Sequence, residues 1–227
     1  LSPYYTILDP NTGAQAEYAQ KLANNDMFVS MVVMDDRATF YVGEPNWDCD
    51  TVAFKDSLAK VYCLYNWDYD GNGELSTREL ACVTELESFN SIKISSFDEL
   101  RYFTGLKEIR DGAFSGKNIS SIVIPENVTR VGNKAFSYTK LDSLFIPKNV
   151  RSIGSEIIRN APIRSLKVSE DNKWLDSRNG CNAIMETATN TLVVGCKNTI
   201  IPDDTETIGN TSFSYCPDLS EIAIPES

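Results

Sequence analysis

LKEIRDGAFSGKNISSIVIP (106–125), ENVTRVGNKAFSYTKLDSLFIP (126–147) and KNVRSIGSEIIRNAPIRSLKV (148–168) are three copies of one apolar spacing. In the first copy the apolar positions are Leu106, Ile109, Ala113, Phe114, Ile119, Ile122 and Ile124. In the second they are Val128, Val131, Ala135, Phe136, Leu141, Leu144 and Ile146, and in the third Val150, Ile153, Ile157, Ile158, Ile163, Leu166 and Val168. Each copy repeats offsets of 3, 7, 8, 13, 16 and 18 from its first member, and copies begin every 22 residues. That period lies in the range of units that cannot bury their own apolar face and must stack. The stretch reads as a solenoid.

Within each unit the most strand-like piece is Ser121–Pro125, repeated at Ser143–Pro147, Ser165–Ser169 and Glu221–Pro225. Alternation along a strand turns Ile122 and Ile124, and their equivalents, into the core. It turns Val123, Phe145, Lys167 and Ala223 outward, and this row is the candidate ligand-binding surface. Proline ends three of the four pieces because it has no N–H for a ladder. Phe114 and Phe136 are expected to stack on each other. Gly132, Gly154 and Gly209 each follow a Val or Ile, where a turn with positive φ is expected.

After Val168 the register breaks. It returns at Thr205, Ile208, Ser212, Phe213, Leu219, Ile222 and Ile224, so an insertion of about a dozen residues lengthens one unit, with loops on one face as its expected form. Cys181–Met185 and Leu192–Cys196 flank a turn-like segment and read as a hairpin that sets Ile184 opposite Val193 and Cys181 opposite Cys196. A cross-strand disulfide in an oxidising compartment and two half-buried thiols both remain open. Cys216 reads as a buried repeat position. The chain is expected to continue past Ser227 or to meet a partner there, since a solenoid ending on an uncovered strand exposes apolar edges.

Upstream, Asp68-Tyr69-Asp70-Gly71-Asn72-Gly73-Glu74-Leu75-Ser76-Thr77-Arg78-Glu79 matches the EF-hand calcium loop at every diagnostic position. Asp68, Asp70 and Asn72 offer side-chain oxygens, Glu74 its backbone carbonyl, Ser76 a water-mediated contact and Glu79 a bidentate carboxylate. Gly73 permits the sharp turn, and Leu75 packs inward. The expected cofactor is a structural calcium ion rather than a switch, because one such loop is present and sensors commonly pair two. A helix is expected from Asp50 to Cys63, capped by Asp50 or Thr51, with Val52, Leu58, Ala59 and Tyr62 on its apolar side. A second helix follows from Thr77 to about Leu86.

Ser91–Ile94 reads as a short strand, and Phe97, Leu100, Phe103 and Leu106 form an atypical opening repeat. Residues 1–50 form a segment of uncertain fold, with a short helix over Ala14–Leu22 and a hairpin of Met27–Met34 with Ala38–Val42 as readings. The domains are therefore 1–50, an EF-hand-like helix-loop-helix at 51–90 and the solenoid at 91–227. The fold class is α+β.

Composition narrows the function. The 227 residues carry a net charge of -11, which argues against nucleic acid, since phosphate binding needs clustered Lys and Arg. No run reaches the roughly 18 apolar residues of a membrane span. Histidine is absent, which removes the commonest general base. Six cysteines without a C-x-x-C disfavour zinc. No nucleophile–base constellation or phosphate-cradling loop is visible, so catalysis is not expected.

The pattern carried by Ile124-Pro125 through Ala135-Phe136 to Ile146-Pro147, and again by Ile201-Pro202 through Phe213 and Cys216 to Ile224-Pro225, resembles the BspA-like leucine-rich repeat family of bacterial surface proteins. NWDYDGNGELS (66–76) followed by SFDELRYFTGL (96–106) resembles the leader of such proteins. The resemblance implies a non-enzymatic module that is exported with its signal removed, and secreted or anchored at the outer membrane on a bacterial cell surface. It implies adhesion through binding of a macromolecule, a host extracellular-matrix protein or another surface component. A spacer or stalk within a larger surface protein is the alternative.

Overall fold

The computed structural model describes residues 28–34, 37–43, 51–69, 71–86, 89 and 92–225, with backbone alone for the first two ranges. The helix expected over Ala14–Leu22 lies outside them. The described residues fall into two units. The first contains strands β1 (Phe28–Met34) and β2 (Arg37–Gly43), paired antiparallel from Phe28↔Gly43 to Met34↔Arg37 as the sequence pattern anticipates.

The second unit opens with Thr51, which forms an antiparallel bridge with Ser76, while the Val52 N–H donates to the Leu75 carbonyl at 2.7 Å. This pairing corrects the expected start of the first helix. Helix α1 spans Ser57–Trp67, and its cap is Asp56 rather than Asp50 or Thr51. Asp56 accepts from the N–H groups of Leu58 and Ala59, satisfying two orphan donors of the first turn. Ala59 and Cys63 face the core, whereas Leu58 faces solvent. Helix α2 is also shorter than expected, Thr77–Ala81, started by a reciprocal capping box between Ser76 and Glu79. Ile92–Ile94 joins no ladder, but Ile94 is buried. A 3-10 turn over Asp98–Tyr102 sets Phe97, Leu100, Phe103 and Leu106 fully inside the core.

The solenoid then stacks with a strict repeat. Strands β3 (Glu108–Ile109), β4 (Arg130–Val131) and β6 (Ser152–Ile153) pair in parallel, equivalent residues side by side. Strands β5 (Ser143–Ile146) and β7 (Ser165–Val168) form a second parallel pair. Between the two sheets, each unit turns through residues whose N–H groups donate to the next unit: Phe114 N to Ala135 O, Phe136 N to Ile157 O and Tyr138 N to Arg159 O, all at 2.7–2.8 Å. Phe114 and Phe136 stack as expected, centroids 5.8 Å apart and planes 11° from parallel, in a row that Phe97 and Phe89 continue.

Two glycines in these turns serve a different purpose from the one expected. Positive φ occurs at Gly112, Lys134 and Glu156, and again at Gly116, Tyr138 and Asn160, one residue of each set per unit. Gly132 and Gly154 have no positive φ. A Cβ on Gly154 would stand 2.4 Å from the Asn133 backbone nitrogen, and one on Gly132 would stand 2.5 Å from that of Asp111. They are glycine because the preceding unit's backbone presses against them.

The inserted residues do not loop out. They form β8 (Leu175–Asp176), β9 (Ala183–Glu186) and β10 (Thr191–Gly195), an antiparallel sheet on whose free edge β11 (Thr207–Ile208) pairs in parallel. The bond from Gly209 N to Leu192 O repeats the one from Gly154 N to Val131 O. Strand β10 thus occupies the place of a repeat strand. In the last unit Phe213 is half-buried and packs against the second apolar cluster, but Ile224 is 70% exposed, contrary to the inward position its offset assigns.

Candidate functional site

Two places carry the residues the sequence singles out. The first is the acidic loop after α1. Asp68 accepts from the N–H groups of Asn72 at 3.2 Å and Gly73 at 3.0 Å, so its carboxylate curls the chain around itself. Asn72 Oδ1 accepts from Glu74 N at 2.7 Å. The Glu74 carboxylate turns away to Lys60 Nζ at 2.7 Å, and the residue's peptide carbonyl is what remains for the loop. Glu79 Oε2 accepts from Ser76 N and Ser76 Oγ at 2.8 and 2.9 Å, so these two are tied to each other. Leu75 is fully buried. Asp70 lies outside the described residues. Among the described residues, no three Asp, Glu or Cys side chains gather closely enough to hold a metal ion. The side-chain donors of the described loop residues are all oxygen, the atom type a hard cation such as calcium takes.

Around the base of α1, three further carboxylates anchor the helix to the opening repeat. Asp56 accepts from Ser95 N and Ser95 Oγ at 2.6 and 2.7 Å, besides its helix bonds. Burial works against its charge, but bonds from Ser95, Ala59 and Leu58 outweigh that and hold its pKa below the ordinary value. Asp98 is held low chiefly by Lys55 and Ser121, both bonded at 2.5 Å. Glu99 is buried and accepts from Lys55 N at 3.0 Å. These three are bound to structure, which gives them an anchoring role.

The second place is the outward row. Phe145 and Lys167 stand directly opposite each other on β5 and β7, and Phe145 is 51% exposed. Val123, one unit earlier, is 45% exposed, although its segment joins no ladder. Ala223 is exposed but belongs to the last unit, past the inserted hairpin, so the expected row of four is a row of three plus an outlier.

Cys181 and Cys196 are not cross-strand partners. Ala183 pairs with Gly195 and Ile184 with Val194, because a bulge at Val193 moves the register by one residue. The next position along sets Cys196 beside Asn182. Cys196 Sγ contacts the Asn182 side-chain amide at 3.3 Å, Cys181 Sγ contacts Ala183 O at 3.7 Å, and both cysteines are free and buried. Cys216 is free and half-buried.

One cluster escapes a reading by apolar spacing. The Arg159 guanidinium lies 3.6 Å from the Tyr215 ring centre and 5.9 Å from that of Tyr138, and both tyrosines are more than half exposed. Glu156 accepts from Arg159 at 3.1 Å and from Ser214 Oγ at 2.8 Å. The signal for it was present: Tyr138 fills the turn position that Gly116 and Asn160 fill in neighbouring units.

The family model described as BspA type leucine rich repeat region matches residues 76–182 and 191–227 in six copies. No curated protein matches the chain. Among solved structures, a leucine-rich repeat protein from Eubacterium ventriosum is 24% identical, with a TM-score of 0.48, over 54% of this chain and 34% of its own. A leucine rich cell surface protein from Faecalibacterium prausnitzii is 18% identical, with a TM-score of 0.43, over 56% and 38%. The pneumococcal vaccine antigen PcpA is 14% identical, with a TM-score of 0.36, over 88% and 69%. The chain thus spans little more than a third of the first two structures it matches.

Proposed function

The chain belongs to the BspA-type leucine-rich repeat family, and on that premise we propose that it is a non-enzymatic binding module of an exported bacterial surface protein. Its partner is another protein, of the host matrix or of a cell surface. The observation that carries this reading is Phe145, a large apolar side chain half exposed on a paired strand, beside Lys167. Aromatic anchors on rigid elements supply a large share of binding energy at protein interfaces. No described helix is long and apolar enough to cross a membrane.

The same reading gives the loop from Asp68 to Glu79 a structural calcium ion, held by Asp68, Asp70, Asn72, the Glu74 carbonyl, Ser76 and Glu79. Bound there, calcium would supply the charge balance that fixes the loop between α1 and α2. An extracellular module needs only weak affinity, because calcium outside cells is abundant.

The experiment is a panel of immobilised extracellular-matrix proteins probed with the intact chain and with Phe145→Glu. The proposal expects at least one captured protein and a loss of tenfold or more in the variant, at unchanged folding. A variant that binds every captured protein as well as the parent rules the patch out. Calorimetric titration of the metal-free chain tests the loop: no heat and no rise in melting temperature at millimolar calcium removes the metal.

A further inference from the structure

Tyr138 and Tyr215 share one turn position, two units apart, and both have a left-handed backbone there, with φ of 58° and 49°. The first unit uses Gly116 at this position and the third uses Asn160, residue types that tolerate such a φ. A bulky aromatic residue is strained at positive φ. Burial does not offset the cost, because both rings are more than half exposed. Strain kept at two exposed aromatic positions calls for a use on the surface.

The Arg159 guanidinium fills the gap between the rings, 3.6 Å from the centre of Tyr215 and 5.9 Å from that of Tyr138. Glu156 accepts from that guanidinium at 3.1 Å and also lines an open groove of about 660 Å³. Such a volume lies within the roughly 300–1,000 Å³ of small-ligand sites. Asn133, Ser155 and Thr211 give the groove amide and hydroxyl groups. Its charges are already paired, Lys134 with Glu156 at 3.4 Å and Asp111 with Arg130 at 3.2 Å. A charged ligand would meet no unpaired opposite charge from these four. A neutral ligand rich in hydroxyls suits both parts: its hydroxyls exchange hydrogen bonds with the groove, and its C–H faces lie on the tyrosine rings, whose π faces are negative. Bonds from Tyr138 N to Arg159 O and from Asn160 N to Tyr215 O fix the turns beforehand, so binding orders little backbone.

We infer that these turns form a binding site for neutral oligosaccharides, with Tyr138 and Tyr215 as stacking platforms beside the polar groove. The site is built from turns rather than from β5 and β7, and it does not depend on the protein partner proposed for Phe145.

The intact chain is screened against an array of neutral oligosaccharides, linear and branched, alongside sialylated and sulfated ones. The best neutral ligand is then titrated by calorimetry into the parent, Tyr138→Asn, Tyr215→Asn and, as a control, Tyr65→Asn on the exposed side of α1. Asparagine is chosen because Asn160 already holds this turn position at φ 54°. Hydrogen exchange follows the Tyr138 and Asn160 amides of the parent with and without the sugar. The expected result is binding of neutral members of the array, weakened tenfold or more in both turn variants and unchanged in Tyr65→Asn, with slower exchange at the two amides. An array on which no neutral oligosaccharide is bound, or only charged glycans are, overturns the inference. So does a folded turn variant that binds as tightly as the parent. Whichever variants fold, a parent whose Tyr138 and Asn160 amides ignore the bound sugar overturns it as well.

Discussion

Asp111 holds Asn133 twice, through its backbone N–H and its side-chain Nδ2, each at 2.8 Å. Asn133 hands the pattern on, accepting from Ser155 N and Oγ at 2.9 and 3.1 Å. The three residues stand 22 apart, one per unit, so a side-chain ladder runs beside the backbone ladder. The bonds from Asn133 also lower the Asp111 pKa.

Asn133→Ala should remove the middle rung and cost about 1–2 kcal/mol, the net worth of one or two such bonds at an exposed site. Urea unfolding measures it. Because stability in a stacked array is carried between neighbours, the loss should appear as a lower midpoint for the whole solenoid. A variant as stable as the parent would show that the ladder contributes nothing beyond the backbone bonds.

Gly154→Ala should be far more damaging than Gly209→Ala. At Gly154 the new Cβ meets backbone at 2.4 Å, which cannot swing aside, whereas at Gly209 the nearest atoms are Ser212 Oγ at 3.0 Å and Leu192 O at 3.1 Å. Overpacking of the first kind costs about 1–3 kcal/mol or more. Thermal melts of the two variants should rank accordingly.

Gly195 is a related case with a different remedy. A Cβ there would stand 2.2 Å from Cε1 of Phe213, a side chain. Gly195→Ala should destabilise the last unit, and adding Phe213→Leu should recover part of the loss. A double-variant cycle reads the coupling as a departure from additivity.

Asp56 predicts the acid limb of stability. Its folded pKa lies below the ordinary 3.8, so its contribution is present above that value and is lost as pH falls through the depressed folded one. Asp56→Ala should cost about 1–2 kcal/mol near pH 7 through the lost cap. It should also flatten the fall in stability below pH 3.8, which melting across an acid series would detect.

Thiol chemistry gives a further check. With Cys196 set beside Asn182, mild oxidation should not join Cys181 to Cys196 in the folded chain. Peptide mapping under non-reducing conditions would reveal such a bridge, and finding it would contradict the register at Val193.

The repeat was legible because each unit shows the same residues to the same neighbours, so Val131, Phe136 and Ile146 announce themselves by spacing. The acidic segment was legible as a loop between two helices, because its glycines and short polar side chains interrupt both helical patterns. The start of α1 was not, because Asp50, Thr51 and Asp56 are all good caps, and only tertiary pairing with Leu75 selects Asp56. The purpose of Gly154 was hidden because a need for positive φ and a need for close approach call for the same residue. The hairpin register failed by one residue, since a bulge at Val193 leaves no mark in the pattern. The Tyr138–Arg159–Tyr215 cluster was missed because it lies in the turns, where an apolar template does not look.

The inserted hairpin changes what the last unit rests on, and it does so on one side only. On the turn side, Asn160 N of the third unit bonds straight to Tyr215 O of the last, repeating the bond from Tyr138 N to Arg159 O, as though nothing intervened. On the strand side, β11 pairs with β10 of the hairpin rather than with a strand of the third unit. The insertion is therefore an adaptor: it lends the last unit a neighbouring strand while leaving the turns in direct succession.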